Sequence, residues 1–551
     1  MAAEPAEPAA GGRAAPTQLD AMLVTGTRAS NRTQFDTMAP VDVFTKEDIK
    51  SVESTDLKDV LAQLVPSFVV QRLPMADGQV FVRPATLRGL SPDQTLVLVN
   101  GRRFHRSALL GNRGAQAADL AQIPTSAIKR IEVLRDGASA QYGSDAIAGV
   151  INIILEDDPG TEITAGYSQY AQGDGASRDF SARTGWALGD YGSLAVFAES
   201  SNSNGAPGFP ASQAGQWDQR SKAAYVDVEV SLGNRWTIAA AGRYEDFSSF
   251  GSTLGGKFSA RFEITPDVAM RGTFSTGFRA PTPAQLSTTS TTQGLDTRTL
   301  QIFTSGRLSP NDPLAQLLGA KPLKPEESRT ASLGLTWRTD MGLSGSVDLH
   351  RISLTDRFSQ SASFAIPAGT PNPLGYTSVN YFTNNFDTTA TGVDIVGNYL
   401  RELGKGRMTL TLAYNFNRTR VDNGSTSVAT NETQRILFED RLPEHKGSFT
   451  GNWETGPWSF MARVRYYGAW TDSTGNAVGD IYQRFGEMTF LDLAASYRFN
   501  EHHSLRVGAD NVFDSYPDEA TFQASRGLIY SRNAPYDTDG GNIYAQYRFT
   551  Y

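Results

Sequence analysis

From Ile128 to Ile154 the chain reads IKRIEVLRDGASAQYGSDAIAGVINII. A β-type apolar run (Ile131, Val133, Leu134) meets a tight Arg135-Asp136-Gly137 turn. A polar, glycine-rich loop follows, and then a second apolar run, Val150 to Ile154. Gly137, Gly143 and Gly149 fall where the backbone would need a positive φ or a close approach. Taken alone, the pattern fits a strand–turn–strand of an ordinary soluble α/β domain equally well. The long remainder of the chain decides against that reading.

The chain has 551 residues, a net charge of −8, no cysteine and five histidines. Without cysteine there is neither a disulfide framework nor a thiolate metal or nucleophile site. An acidic balance argues against a nucleic-acid partner, because phosphate binding needs clustered Lys and Arg. No stretch approaches the ~18 consecutive apolar residues of a spanning helix. This leaves β-barrel strands open, since they are apolar only at alternate positions. Met1 to Gln18 is rich in Ala, Pro, Gly and Glu and is expected to be disordered. It has no basic start followed by an apolar run, so no secretory signal is visible; such a signal is either already cleaved or lost.

Residues 31 to 156 read as a compact α/β globule. Val41 to Phe44 is a short strand, and Thr45 with Asp48 forms a capping box for the helix that follows. Thr55 caps a second helix, with Leu57, Val60, Leu61 and Leu64 at helical spacing and Pro66 as its stop. Gln94 to Asn100 is a buried strand closed by an Asn100-Gly101 turn, and a short helix is expected around Ser126.

From about residue 160 the period changes to two. Val226, Val228, Val230 and Leu232 alternate with Asp227, Glu229 and Ser231; Phe460, Ala462 and Val464 alternate with Arg463 and Arg465. One greasy face and one polar, even charged, face is the pattern of an outer-membrane barrel with a wet lumen. Short turns also take turns with long polar loops, which puts the two kinds on opposite rims. The final strand alternates Ile543, Ala545, Tyr547, Phe549 and Tyr551 and ends flush with the chain. Stacked β-sandwiches would instead need dry inner faces, which Asp227/Glu229 and Arg463/Arg465 do not allow.

The chain resembles the TonB-dependent outer-membrane receptors. The residues that carry the likeness are Val24 to Arg28, Leu87-Arg88-Gly89-Leu90, Val97 to Arg103, the whole 128–154 segment, Gly277 to Pro281 and Asp510 to Asp514. The resemblance implies a transmembrane antiparallel β-barrel (160–551) around an N-terminal α/β plug domain (31–156), in the outer membrane of a Gram-negative bacterium. It implies TonB as energy-transducing partner, outer-membrane lipid around the wall, recognition of the last strand by the barrel assembly machinery, and a scarce small-molecule ligand. No catalysis, cofactor or resident metal is implied. The TonB box would be Leu19, Asp20, Ala21, Met22, Leu23 and Val24, an extended segment suited to adding a strand to a partner's sheet edge; a plain linker is the alternative.

The sequence departs from the family in its wall. About sixteen strands are recognisable, against the 22 of plugged transporters. The shortfall lies between the third strand and the one starting near Ser221. A plug of this size has a radius of gyration near ~14 Å, a tight fit in a porin-sized lumen. Two outcomes are expected: a gap at that place, or a smaller closed barrel that holds its plug badly.

Candidate ligand contacts are Arg102, Arg103, His105, Arg106 and Arg113, a cationic floor for an anionic chelate if their loop faces outward. The same arginines could instead pair with lumen carboxylates and fasten plug to wall. Arg88 and Arg135 are assigned to fastening, with Glu229 or Glu245 as partners. Loop aromatics (Trp217, Phe250, Phe303, Tyr376, Trp470, Tyr530, Tyr536) could stack on a ligand or on one another. Glu156-Asp157-Asp158 could attract calcium or simply be solvated. No HExxH, GxSxG or P-loop motif is present. The expected function is energised uptake of a ferric siderophore or similar iron chelate. The alternatives are an oligosaccharide or other bulky nutrient, and a truncated receptor that no longer transports.

Overall fold

The computed structural model describes Thr25 and residues 34–551, apart from 53, 55, 72, 74–81, 108–114, 174–175, 188–192, 204–220, 249, 288, 297–299, 425–431, 477–478 and 522–527. Two units fill it. The first is a five-stranded sheet in the order Val41–Thr45, Ile128–Leu134, Gly149–Leu155, Thr95–Val99, Arg102–Arg103. Only Thr95–Val99 and Gly149–Leu155 pair in parallel. The helices Lys46–Lys50 and Leu57–Leu64 cover one face and bury Leu57, Val60 and Leu61 against Ile131, Val133, Ile151 and Ile153. Thr45 and Asp48 make the expected capping box. The second helix is capped by Asp56, whose carboxylate accepts the Lys58 N–H at 2.9 Å, rather than by Thr55, which lies outside the described residues. A carboxylate next to the first turn also complements the helix dipole.

The 128–154 segment folds as strand, turn, one helical turn (Ser139–Tyr142) and strand. Gly143 sits at φ +83°, where a side chain would be strained. Gly137 serves close approach instead: a Cβ there would overlap Ser275 Oγ and lie 3.0 Å from Thr330 Oγ1, both on the surrounding wall.

That wall is the second unit. Nineteen strands share one barrel sheet; three of them (Ser290–Asp296, Gln301–Leu308, Phe364–Ala365) belong to long loops, which leaves sixteen in the wall. The last wall strand, Asn542–Thr550, pairs with the first, Gly160–Tyr170. Val226, Val228, Val230 and Leu232 face outward and are exposed, while Asp227 and Glu229 are half-buried on the other face. Around the barrel Ser193–Ser203 stands beside Ser221–Leu232. The neighbouring wall strands are joined in antiparallel registers, and the sheet closes on itself with these two strands as neighbours in it. The gap expected before Ser221 is therefore overturned: the sixteen strands form the smaller, closed barrel.

The expectation of a badly held plug is overturned. Ile352, Leu354 and Ala390 of the wall join the plug's own apolar core, and buried polar contacts, described next, surround it. The tight fit is met by removing side-chain volume where the two units touch, as at Gly137. Replacing Gly137 by Val is predicted to leave a wall that still shows heat-modifiable migration, while the plug becomes cleavable by trypsin in the intact barrel. Unchanged protection of the plug would refute the close packing of this turn.

Candidate functional site

All three residues of the Arg135-Asp136-Gly137 turn meet the wall or its charges. The Arg135 guanidinium donates to both carboxylate oxygens of Asp42, at 2.6 and 2.9 Å, and its remaining nitrogen lies 2.7 Å from Asp394 on the Ser378–Leu403 wall strand. Arg88 donates to the same Asp394 oxygen, at 2.6 and 3.2 Å, and the Asn415 side-chain amide donates to the other at 2.8 Å. Arg88 and Asp394 are both buried. Arg88 holds φ +53° and Gly89 φ +69°, a backbone cost of roughly 1–3 kcal/mol at the non-glycine position that aims the guanidinium at the wall. Asp136 receives a bond from wall Lys257 Nζ at 2.8 Å, and the same ammonium donates to the Gly137 carbonyl at 3.0 Å.

Arg88 and Arg135 therefore engage Asp394, and the assignment of Glu229 or Glu245 as their partners is corrected. Glu245 is held by Arg243 of its own strand at 2.8 Å, and Glu229 lies half-buried on the strand Ser221–Leu232. Asp394 reads in sequence as one inward position between Val393 and Ile395, and alternation alone does not distinguish it from other lumen carboxylates.

Cations of the wall also grip the plug through backbone carbonyls and polar side chains. Lys446 Nζ donates to the carbonyls of Ala62 and Phe68, at 2.6 and 2.7 Å, at the C-terminal end of the second plug helix. Arg463 donates to Gln63 Oε1 at 2.7 Å and to Ser51 Oγ at 2.8 Å, and Arg506 donates to the Ser51 carbonyl at 2.9 Å. Positive charge at helix C-termini is where the macrodipole favours it. On the opposite flank Arg271 donates to Thr37 Oγ1 at 2.9 Å while its other nitrogens bind Asp348. Arg279 bridges plug Asp93 and wall Glu326.

The cationic run in the plug divides. Arg103 and Arg106 both pair with Asp145 of the plug itself, and Arg103 donates further to the carbonyls of Tyr142 and Ser144 at 2.6 Å each. Burial alone would raise the Asp145 carboxyl; Arg106, Arg103 and Arg279 outweigh it and hold the group below the usual carboxylate range. Arg102 is exposed beside the Asn100-Gly101 turn. That turn lies at the sheet end from which the chain leaves for the wall, since the Leu155 N–H donates to Asn100 Oδ1 at 2.9 Å. It is thus on the short-turn side rather than the outer face. His105 is exposed and lies tilted at 45° against Phe104, with ring centroids 4.2 Å apart. Arg113 and the segment Leu19 to Val24 lie outside the described residues. Thr25, next to that segment, is buried: its N–H donates to Glu132 Oε2 at 2.8 Å, and its hydroxyl accepts from Asn152 Nδ2 at 2.9 Å.

Several loop aromatics pack on one another. Trp470 is buried, stacks on Phe485 at 4.6 Å and donates to Tyr536 at 3.1 Å; Tyr530 stacks on Tyr516 at 5.8 Å and Phe250 on Phe247 at 4.7 Å. Tyr376 is buried, Phe303 partly exposed, and Trp217 outside the described residues. The carboxylates of Glu156, Asp157 and Asp158 cluster within 4.8 Å, but Lys46 and Lys129 of the chain already bind them at 2.8–2.9 Å.

Residues 33–150 match the family described as the TonB-dependent receptor plug domain, and residues 120–512 the family of TonB-dependent receptor-like β-barrels. The vitamin B12 transporter BtuB of Photobacterium profundum is 35% identical over 237 residues, which is 42% of this chain and 36% of that protein; the chain thus spans little more than a third of this relative. Among solved structures, a mutant of the ferric enterobactin receptor PfeA from Pseudomonas aeruginosa superposes with a TM-score of 0.70 at 15% identity, covering 93% of this chain and 98% of that one. The siderophore receptor PirA from Acinetobacter baumannii gives 0.66 at 15% identity over 93% and 98% of the two chains. The ferric citrate transporter FecA gives 0.66 at 13% over 94% and 98%. At these identities the likeness is one of fold.

Two outcomes follow from the seat. Lys446→Met removes two charge-assisted bonds and is expected to weaken plug seating by about 2 kcal/mol, read as a lower urea midpoint for protease access to the plug. Because the Asp145 pKa is depressed on folding, its contribution is complete above about pH 4 and is lost as the pH falls through the depressed value. Asp145→Asn should flatten that acid limb of plug stability; an unchanged limb would assign it to other carboxylates.

Proposed function

Because the chain belongs to the TonB-dependent receptor family, we propose that it is an outer-membrane receptor for energised uptake of a ferric siderophore or a similar iron chelate. The observation that carries this reading is a plug seated inside a barrel by buried contacts, with its N-terminal segment tethered at Thr25. Tension from TonB on the residues before Thr25 would reach Glu132 and Asn152 first. Those residues sit on the two strands that flank the Arg135-Asp136-Gly137 turn, so the tether and the buried seat share one element. Strand addition by the segment Leu19 to Val24 is the expected mode of TonB engagement.

Iron-chelate transport is supported by the structural neighbours, whose names specify ferric enterobactin, siderophores and ferric citrate. Vitamin B12 is the second reading, favoured by the P. profundum relative.

The test is fluorescence quenching of the purified receptor by a ferric catecholate, ferric citrate and cyanocobalamin, followed by uptake in strains with and without TonB. Saturable quenching by a ferric chelate and uptake only with TonB are expected. Saturation by cyanocobalamin alone would move the protein to the second reading. Binding without uptake in the TonB-competent strain would make it a receptor that no longer transports.

A further inference from the structure

The plug is fastened unevenly. Its bonds to the wall strands Gly160–Tyr170 and Ser177–Ala187 gather at their lower ends: Lys50 binds Glu162 at 2.9 Å, Lys46 lies 3.3 Å from the same carboxylate, and Arg183 binds the Asp158 carbonyl. Above these contacts a cavity with about 190 Å³ open to water separates plug from wall. At roughly 10–15 Å³ per water it has room for about 13 to 19 molecules.

Its lining reaches from Glu162, the third residue of the first wall strand, to Ser168 and Ser177, which pair with each other directly below the outer loop. Six residues of strand at about 3.4 Å each span roughly 20 Å, most of the ~25 Å apolar band of an outer-membrane barrel. The walls are small and hydroxylic, with Ser126 on the plug side facing Thr164, Ser168 and Ser181. Gln546 and Arg548 of the last wall strand reach the cavity beside Thr164 and Gly166, and the serine and threonine hydroxyls can hydrogen-bond to water as donor and acceptor. Of the charges in the lining, Lys46, Lys50 and Arg548 are cationic and Glu162 and Asp179 anionic, three against two.

We propose that this cavity is a standing aqueous path around the seated plug that conducts small inorganic ions, anions ahead of cations, without plug displacement. This activity is separate from uptake of a bulky chelate and does not rest on it.

The experiment is planar-bilayer recording of the full chain in potassium chloride gradients. A Gly137→Cys/Ser275→Cys pair ties plug to wall in a protein that has no other cysteine. A steady conductance that survives oxidation of this pair is expected, with a reversal potential displaced toward chloride. Lys50→Glu should move that potential toward potassium. In a separate protein, Ser168→Cys treated with a bulky charged thiol reagent after reconstitution should lose most of its conductance, and Ser126→Cys should do the same from the plug side; both blocks act on protein that has already folded. Absence of conductance, or its loss on oxidising the 137/275 pair, would overturn the proposal. Conductance untouched by either thiol block would overturn it as well, by routing the ions elsewhere.

Discussion

Asp394 is a carboxylate buried in the lumen that accepts two arginines from another part of the chain, Arg88 and Arg135. Neither side tolerates being without the other. An ionised group taken out of water costs several kcal/mol unless it is paired and hydrogen-bonded, so Asp394 needs the plug's arginines, and Arg88 needs Asp394, whereas Arg135 is also held by Asp42 of the plug. The pairing thus makes the position of the globule inside the barrel a requirement of charge. Asp42 and Asn415 supply further bonds to the junction.

The other contacts extend this constraint around the circumference. Lys257 takes the next residue of the same turn, Arg271 takes the entry to the first strand, and Arg279 takes Asp93 before the Thr95–Val99 strand. On the helical side the wall offers cations to carbonyls and helix ends, through Lys446, Arg463 and Arg506. The two kinds of grip differ in character. Buried ion pairs are strong only while their geometry is intact, so a small displacement releases them together, whereas charge-to-carbonyl bonds at helix ends can be exchanged for water one at a time. A plug held in this way is stable at rest.

Much of the architecture was legible in the chain because period-two alternation and turn chemistry are local. The sixteen wall strands, the capping box of Thr45 and Asp48 and the Asn100-Gly101 turn all follow from neighbouring residues, whereas the gap expected before Ser221 is absent because the strands on either side of it close the sheet. The partners of Arg88 and Arg135 were not legible. Which of many inward carboxylates meets a given arginine is set by the rotation of the plug within the barrel, and no local pattern encodes that angle. The cationic run from Arg102 to Arg106 misled for a related reason. Its charge suggested an outward floor for a ligand, yet Asp145, brought near by the fold of the 128–154 segment, takes two of its arginines, and the parallel pairing of Thr95–Val99 with Gly149–Leu155 turns Arg102 toward the short-turn rim. Gly137 was legible as a special position but not as a contact, because its φ is ordinary and its role is the absence of a side chain against Ser275 and Thr330.

The central claim is that the Asp394 junction seats the plug. A double-mutant cycle between Arg88→Met and Asp394→Leu, read as the free energy of plug release in an intact barrel, tests it most directly. Asp394→Leu leaves Arg88 buried without its carboxylate and is predicted to cost about 3–5 kcal/mol; Arg88→Met leaves Asp394 with Arg135 and Asn415 and should cost less, while the double variant should cost less than their sum, with a coupling of at least about 2 kcal/mol. Additive losses, or single substitutions without effect on plug release, would contradict the account.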